Sequence, residues 1–393
     1  MNLLNRQFDF IPQSPTVAMA DRVNALKAQG QQIIGLQTGD PDFATPPSIM
    51  EVGVNALQLG LTHYGPSKGF PELLQAASSK LERDNGVLYD PKTELMATHG
   101  GIHAYYTAMQ AVINPGDEVL IPDPTWATHA NMAIMLRGNA IRVPAPAENG
   151  FLPTLQDWER MITPRTRIIV INYPSNPTGV YPSMDYLRAL QEYAGRHKLW
   201  VISDEVYENL YYGEHPISAA AFPKARDNTI LIHSLSKTYA MTGWRVGYMA
   251  APTEVINRAQ KASQNSITCV APFVQKAAAF ALSDPDVQLV ASDMREAYAR
   301  RRKIVIDVTK ELSPRKVVVT PPMGAFYFFL DVRSMNISSS EICERILGEI
   351  GVGLVPGSAF GEYGEGFLRM TIAASDKDVE AGFRKIIEWA EKQ

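Results

Sequence analysis

From about residue 50 to 285 the chain alternates short apolar runs with longer stretches in which apolar residues return every three or four positions. The runs ELMAT (94–98), EVLI (118–121), RIIVIN (167–172), LWVIS (199–203), TILIH (229–233) and RVGYMAA (245–251) are mostly continuous rather than alternating. Strands covered on both faces read that way. With helical patterns between them, they predict a mostly parallel, doubly wound sheet. An earlier helix is predicted from Ser14-Pro15, a cap followed by proline, to Gly30. After a long helical pattern near 287–312 the character changes: VVVT (317–320), AFYFFL (325–330) and FLRMTIA (367–373) predict a smaller sheet, flanked by helices that include one at 339–350. The first 45 residues end in the turn-rich TGDPDFATPP and are expected to pack with this second part. The expected fold is therefore α/β, with a large doubly wound domain over 46–285. A smaller α+β domain is expected from both chain ends, 1–45 and 286–393.

Composition changes this picture little. Of 393 residues, 46% are hydrophobic and 20% charged, an ordinary globular balance. A net charge of −4 favours neither nucleic acid nor an anionic membrane as a partner. The basic run Arg300–Lys303 lies inside the long helical pattern and reads as a solvated helix face. Cys269 and Cys343 are the only cysteines, far apart in the chain, which fits a reducing compartment and no disulfide framework. The N-terminal MNLLNRQFDFIPQSP lacks an apolar signal-like core, so a soluble, cytoplasmic protein is expected. His99 and His103 have i,i+4 spacing, but the Gly-Gly between them undermines a helical metal site, so no metal is expected. There is no HExxH, and no GxGxxG follows a strand.

In an open parallel sheet, ligands bind beyond the carboxyl ends of the strands. ELMAT is followed by His99-Gly100-Gly101 and a helical run; EVLI by a loop carrying Trp126; RIIVIN by YPSNPTG with Asn176. LWVIS runs into Asp204 and Tyr207, and TILIH into Ser234, Ser236 and Lys237. Taken singly, each has a bland explanation: a loop lysine is usually solvated, Gly-Gly is a turn, Trp is core, and Asp caps a helix. Together they compose a pocket. Paired glycines opening a helix let backbone N–H groups reach an anion, and Ser234, Ser236 and Arg245 can complete that site. Trp126 can stack on a planar ring. Asp204 can hold a proton on a ring nitrogen, and Lys237 can form a Schiff base with an aldehyde. A phosphate, a ring nitrogen and an aldehyde describe pyridoxal phosphate.

Carried by GDPDFATP, YPSNPTG, SDEVYENLYY, SLSKTYAMTGWRVGY and PGSAFGEYGEGFLRM in this order, the whole chain resembles the class I/II pyridoxal-phosphate-dependent aminotransferases of fold type I, the aspartate aminotransferase superfamily. The resemblance implies that Lys237 holds the cofactor and moves the proton at the substrate Cα. It implies that Asp204 pairs with the ring nitrogen, and that Tyr207 and Asn176 donate to the phenolic oxygen. Trp126 would stack on the ring, while the Gly101 and Ile102 backbone, Ser234, Ser236 and Arg245 hold the phosphate. Arg369, which by pattern alone is a structural or surface arginine, would grip the substrate carboxylate with Asn176 and the Gly39 backbone assisting. Tyr64 would reach the phosphate of a neighbouring subunit, making a homodimer with shared sites.

Two departures bear on the substrate. Ile102 stands where some aspartate-specific relatives have a lysine that reads the distal carboxylate. The sequence PTWATHAN around Trp126 is also unusual, with Thr128 and His129 expected to reshape the side-chain pocket. The implied activity is two-step transfer of an amino group from an L-amino acid, apolar, aromatic or dicarboxylic, to a 2-oxo acid such as 2-oxoglutarate. The alternatives are β- or γ-elimination on the same fold and, from another class, a non-catalytic effector-binding module.

Overall fold

The computed structural model describes residues 4–393; the first three residues of the stretch read above as lacking a signal core lie outside them. Twelve strands are present among the described residues. In chain order they are β1 (Ile34–Gly35), β2 (Leu95–Thr98), β3 (Glu118–Asp123), β4 (Asn139–Pro144), β5 (Thr166–Asn172) and β6 (Trp200–Asp204). Then come β7 (Thr229–Ser234), β8 (Gly247–Ala250), β9 (Tyr327–Asp331), β10 (Val352–Gly353), β11 (Val355–Pro356) and β12 (Phe367–Thr371).

Seven strands form the large sheet in the order β2-β8-β7-β6-β5-β3-β4, parallel except for β8, which runs antiparallel to both neighbours. The chain leaves β3 for β4 on one side and then continues through β5, β6 and β7 on the other. The order therefore reverses between β3 and β5, where a crevice opens at the strand ends. Helices cover the sheet and explain its unbroken apolar strands: Ile168, Val170, Ile202 and Ile232 share one buried cluster, and Leu120, Ile169, Ile171 and Val201 another.

A three-stranded antiparallel sheet, β11-β12-β9, and the parallel pair β1-β10 make up the rest. Their core joins both chain ends: Met19, Val23 and Leu36 pack in one cluster with Phe326, Phe328, Leu368, Val379 and Phe383. The helix Pro15–Ala28 begins as its sequence predicts, with the Ser14 side chain accepting from the Val17 N–H. The helices Pro285–Leu312 and Ser339–Ile350 match their predicted spans closely.

Four expectations need correction. VVVT is not a strand; it makes one bridge, Val318 to Asp331, before Pro321-Pro322 removes the donors a ladder needs. The run at 245–251 starts its strand at Gly247, because Arg245 ends a single 3-10 turn with φ +52°. Strand β4 was not anticipated; it is an edge strand whose Asn139, Arg142 and Pro144 break the apolar pattern. The basic run is not uniformly solvated. Arg300 and Lys303 are exposed, but Arg301 is buried and forks onto Asp42 at 2.7 and 2.8 Å, with Asp376 3.0 Å away.

Candidate active site

Lys237 sits one turn past β7 in a four-residue helix, Leu235–Thr238, capped by Ser234, whose Oγ accepts the Ser236 N–H. Its side chain points into a cleft of about 450 Å³ at the carboxyl ends of the large sheet's parallel strands. All the site residues predicted from sequence line this cleft except Tyr64, which is 87% exposed on a loop elsewhere. The amine donates to the Gly39 carbonyl at 2.5 Å. Burial lowers its pKa to about 8; Asp40 opposes the shift, while Arg369 and Arg245 reinforce it.

At one end of the cleft the helix Gly100–Val112 begins without a side-chain cap. Its first N–H groups therefore stay available, at the positive end of the helix dipole. Gly100 has φ +76°, and a Cβ there would lie 2.8 Å from Arg245 Nη2. Only glycine lets the arginine lie against this helix start. Arg245 donates to the Thr242 carbonyl at 2.7 Å, and Ser234 Oγ bonds Ser236 Oγ at 2.9 Å. Amide N–H groups, two hydroxyls and a guanidinium, with no carboxylate among them, form a donor set suited to a phosphate.

In the middle, Asp204 ends β6 with both oxygens engaged: Oδ1 accepts the Val206 N–H at 3.3 Å, and Oδ2 lies 3.1 Å from His129 Nε2. His129 is fully buried and absent from the cleft wall. The expectation that it reshapes the side-chain pocket is therefore corrected: the imidazole supports the carboxylate from behind. Trp126 stands edge-on to it, with ring centroids 5.3 Å apart. Tyr207 Oη bonds Tyr327 Oη at 2.8 Å, and burial raises the pKa of both phenols.

Arg369, on β12, is 3% exposed. It donates to Asn176 Oδ1 at 3.0 Å and to the Gln37 carbonyl at 2.7 Å, and lies over the Tyr327 ring at 4.4 Å. Burial lowers its pKa, yet no ion pair is formed with a carboxylate, and Nε has no partner. Such a cation is stable only where an anion will join it. Gly39 lies close by: a Cβ there would come within 2.4 Å of Tyr327 Oη.

Four functional positions escaped the sequence reading. Asn172 donates to the Asp204 carbonyl at 3.1 Å and accepts the Asn176 N–H at 3.0 Å, and a polar residue ending the aliphatic RIIVIN was a usable signal. Gln37, His129 and Tyr327 gave none, since each acts across a long sequence separation.

The residues present fit pyridoxal phosphate: donors without an acidic partner at one end, a carboxylate at mid-cleft, and a partly neutral amine beside them. Among known proteins, the family described as aminotransferase class I and II matches residues 31–386. An aspartate aminotransferase of Pyrococcus abyssi is 37% identical over 93% of this chain and 96% of its own length. An aromatic-amino-acid aminotransferase of Thermococcus litoralis is 38% identical over 90% of each. The solved aspartate aminotransferase of Thermus thermophilus with maleate superposes with a TM-score of 0.93 at 34% identity, over 99% of this chain and 100% of that one. The chain belongs to the class I and II aminotransferases, pyridoxal-phosphate enzymes that move an amino group between amino acids and 2-oxo acids.

Proposed function

We propose that this aminotransferase takes its amino group from an L-amino acid with an apolar or aromatic side chain, and that the residues gathered in the cleft divide the work as follows. The observation that carries the substrate reading is the distribution of cations. The positive groups lining the cleft are Lys237, Arg245 and Arg369, and each already has a use. None is left for a distal carboxylate, and Ile102, Val17 and Trp126 make that part of the wall apolar.

Pyridoxal phosphate supplies, when bound, an aldehyde that accepts the amino group and a ring that withdraws electrons from the donor's Cα. Lys237 is the group that attaches to it and then carries the proton at Cα; an amine titrating at about 8 has an appreciable neutral fraction at pH 7–8. Arg369 holds the α-carboxylate by its fork, with Asn176 and the Gly39 backbone beside it. Asp204, aligned by His129, keeps the ring nitrogen protonated. Tyr207 and Asn176 donate to the phenolic oxygen, and Trp126 packs on the ring face. Gly101, Ile102, Ser234, Ser236 and Arg245 hold the phosphate. Residues 1–45 and 286–393 form the smaller domain and 46–285 the larger. In a homodimer, exposed Tyr64 reaches the partner's phosphate. Two free cysteines suit a cytoplasmic setting.

The test is the visible spectrum of the cofactor-loaded protein with single amino acids, followed by product analysis. Aromatic and large aliphatic donors should discharge the band and release a stoichiometric 2-oxo acid. A preference for aspartate over all of these overturns the substrate reading.

A further inference from the structure

Beneath the turn that carries Asp204 and Tyr207 lies a cluster of buried charges with no part in the assignments above. The residues that follow these two in the chain, Glu205 and Glu208, are also buried but do not line the cleft. Glu205 Oε1 accepts from Ser203 Oγ at 2.8 Å, Ser218 Oγ at 3.1 Å and the Ala219 N–H at 3.0 Å. Glu208 is bonded by the Lys80 ammonium and by Asn85 Nδ2, the latter at 2.6 Å. His233 lies between the carboxylates, Nδ1 3.1 Å from Glu208 and Nε2 3.7 Å from Glu205, stacked on Tyr248 at 5.0 Å. Two carboxylates and an imidazole this close could surround a metal ion, but the Lys80 ammonium already provides the cation.

Buried charge is an expensive way to fill space. Apolar side chains of the same volume would serve stability as well or better, so what the charges add is direction. Burial raises both carboxylates; at Glu208 the opposing effect of Lys80, His233 and Asn85 prevails and holds it well below the usual range. The links are specific. Lys80 and Asn85 belong to the helix Pro71–Asn85, and His233 is the residue before Ser234 on β7.

We propose that Glu208, Lys80 and His233 are positioning residues: they lock the 204–208 turn to β7, so that Asp204 and Tyr207 are held in register with Ser234, Ser236 and Lys237. This rests on the reading of Asp204 and Tyr207 as cofactor contacts. Each of these groups would otherwise be placed by a loop alone, and catalytic groups held by loops lose geometry readily.

The experiment compares Glu208→Gln, Lys80→Met, the double variant and Asp204→Asn. Three readouts are used: the cofactor dissociation constant by equilibrium dialysis of the cofactor-free protein, the pH midpoint of the loaded enzyme's visible band, and thermal unfolding without cofactor. Each single change at the cluster should raise the dissociation constant about 10–100-fold, as for other partners that orient ligand-holding side chains, and shift the band's midpoint. The double variant should lose less than the two singles combined, since it leaves neither charge unpaired. A lowered unfolding temperature with unchanged cofactor affinity and band overturns the proposal, and so does no change at all. If Lys80→Met does not fold, the near-isosteric Glu208→Gln still decides. Asp204→Asn separates the two readings: if it too leaves affinity and band intact, the assignment of Asp204 has failed; if it alone weakens them, only the positioning role has.

Discussion

Burial holds the Lys237 amine at about 8, where an ordinary lysine titrates near 10.5. The cofactor-free protein should therefore react with an aldehyde at a rate that rises with pH through a midpoint near 8; a midpoint near 10 would contradict the placement of this side chain. The same shift links to stability. The unfolded chain keeps this proton until about 10.5, so the residue's contribution is fully present above that pH and fades as pH falls through about 8. Arg369 makes a different demand. A lysine there would keep the charge but lose the planar fork, so Arg369→Lys should lower kcat/KM for the amino donor about 10–100-fold, the worth of one charge-assisted hydrogen bond. Steady-state kinetics on enzyme whose visible band is intact would measure it. Lys237 and Asp204 could be picked out from sequence because each follows directly on an apolar strand. His129 could not, because its 3.1 Å approach to Asp204 spans 75 residues.

A strand that ends in a capped turn delivers its next few side chains with little freedom, and β7 does this for Ser234, Ser236 and Lys237. The helix Gly100–Val112 does the converse, presenting backbone instead of side chains. Gly100→Ala should cost about 1 kcal/mol or more at a positive φ and push Arg245 away. Weakened cofactor binding in dialysis, with folding retained, is the expected result. Elements were legible where apolar runs are buried on both faces, as in β5, β6 and β7. Legibility failed where pairing is partial: edge strand β4 carries polar residues, and in VVVT Val318 is 58% exposed.

Over the whole molecule, the two chain ends close on one core, and Arg301 fastens the segment bearing Gly39 and Asp40 to the long helix through Asp42. Both carboxylates it meets remain partly exposed, which limits the loss when it is removed. Arg301→Ala should destabilise by about 1–3 kcal/mol and raise the donor KM, because the Gly39 loop is no longer held against the cleft. Thermal unfolding and steady-state kinetics would check both. Tyr64 bears on assembly. If sites are shared, subunits with Tyr64→Ala and subunits with Lys237→Ala, each poorly active alone, should recover turnover when refolded together. No recovery would mean that each chain's site is self-contained.

Hydrophobic pattern and the residues at strand ends determined the sheet class, the lysine, the carboxylate and the anion site, because these depend on local periodicity and on what immediately follows each strand. Tertiary structure alone decided that Arg369 is a buried cation awaiting an anion, that Arg301 ties distant segments together, and that His129 stands behind Asp204. Each of those facts depends on burial and on partners far along the chain, and the physical worth of a charge is set by those surroundings rather than by its neighbours in sequence.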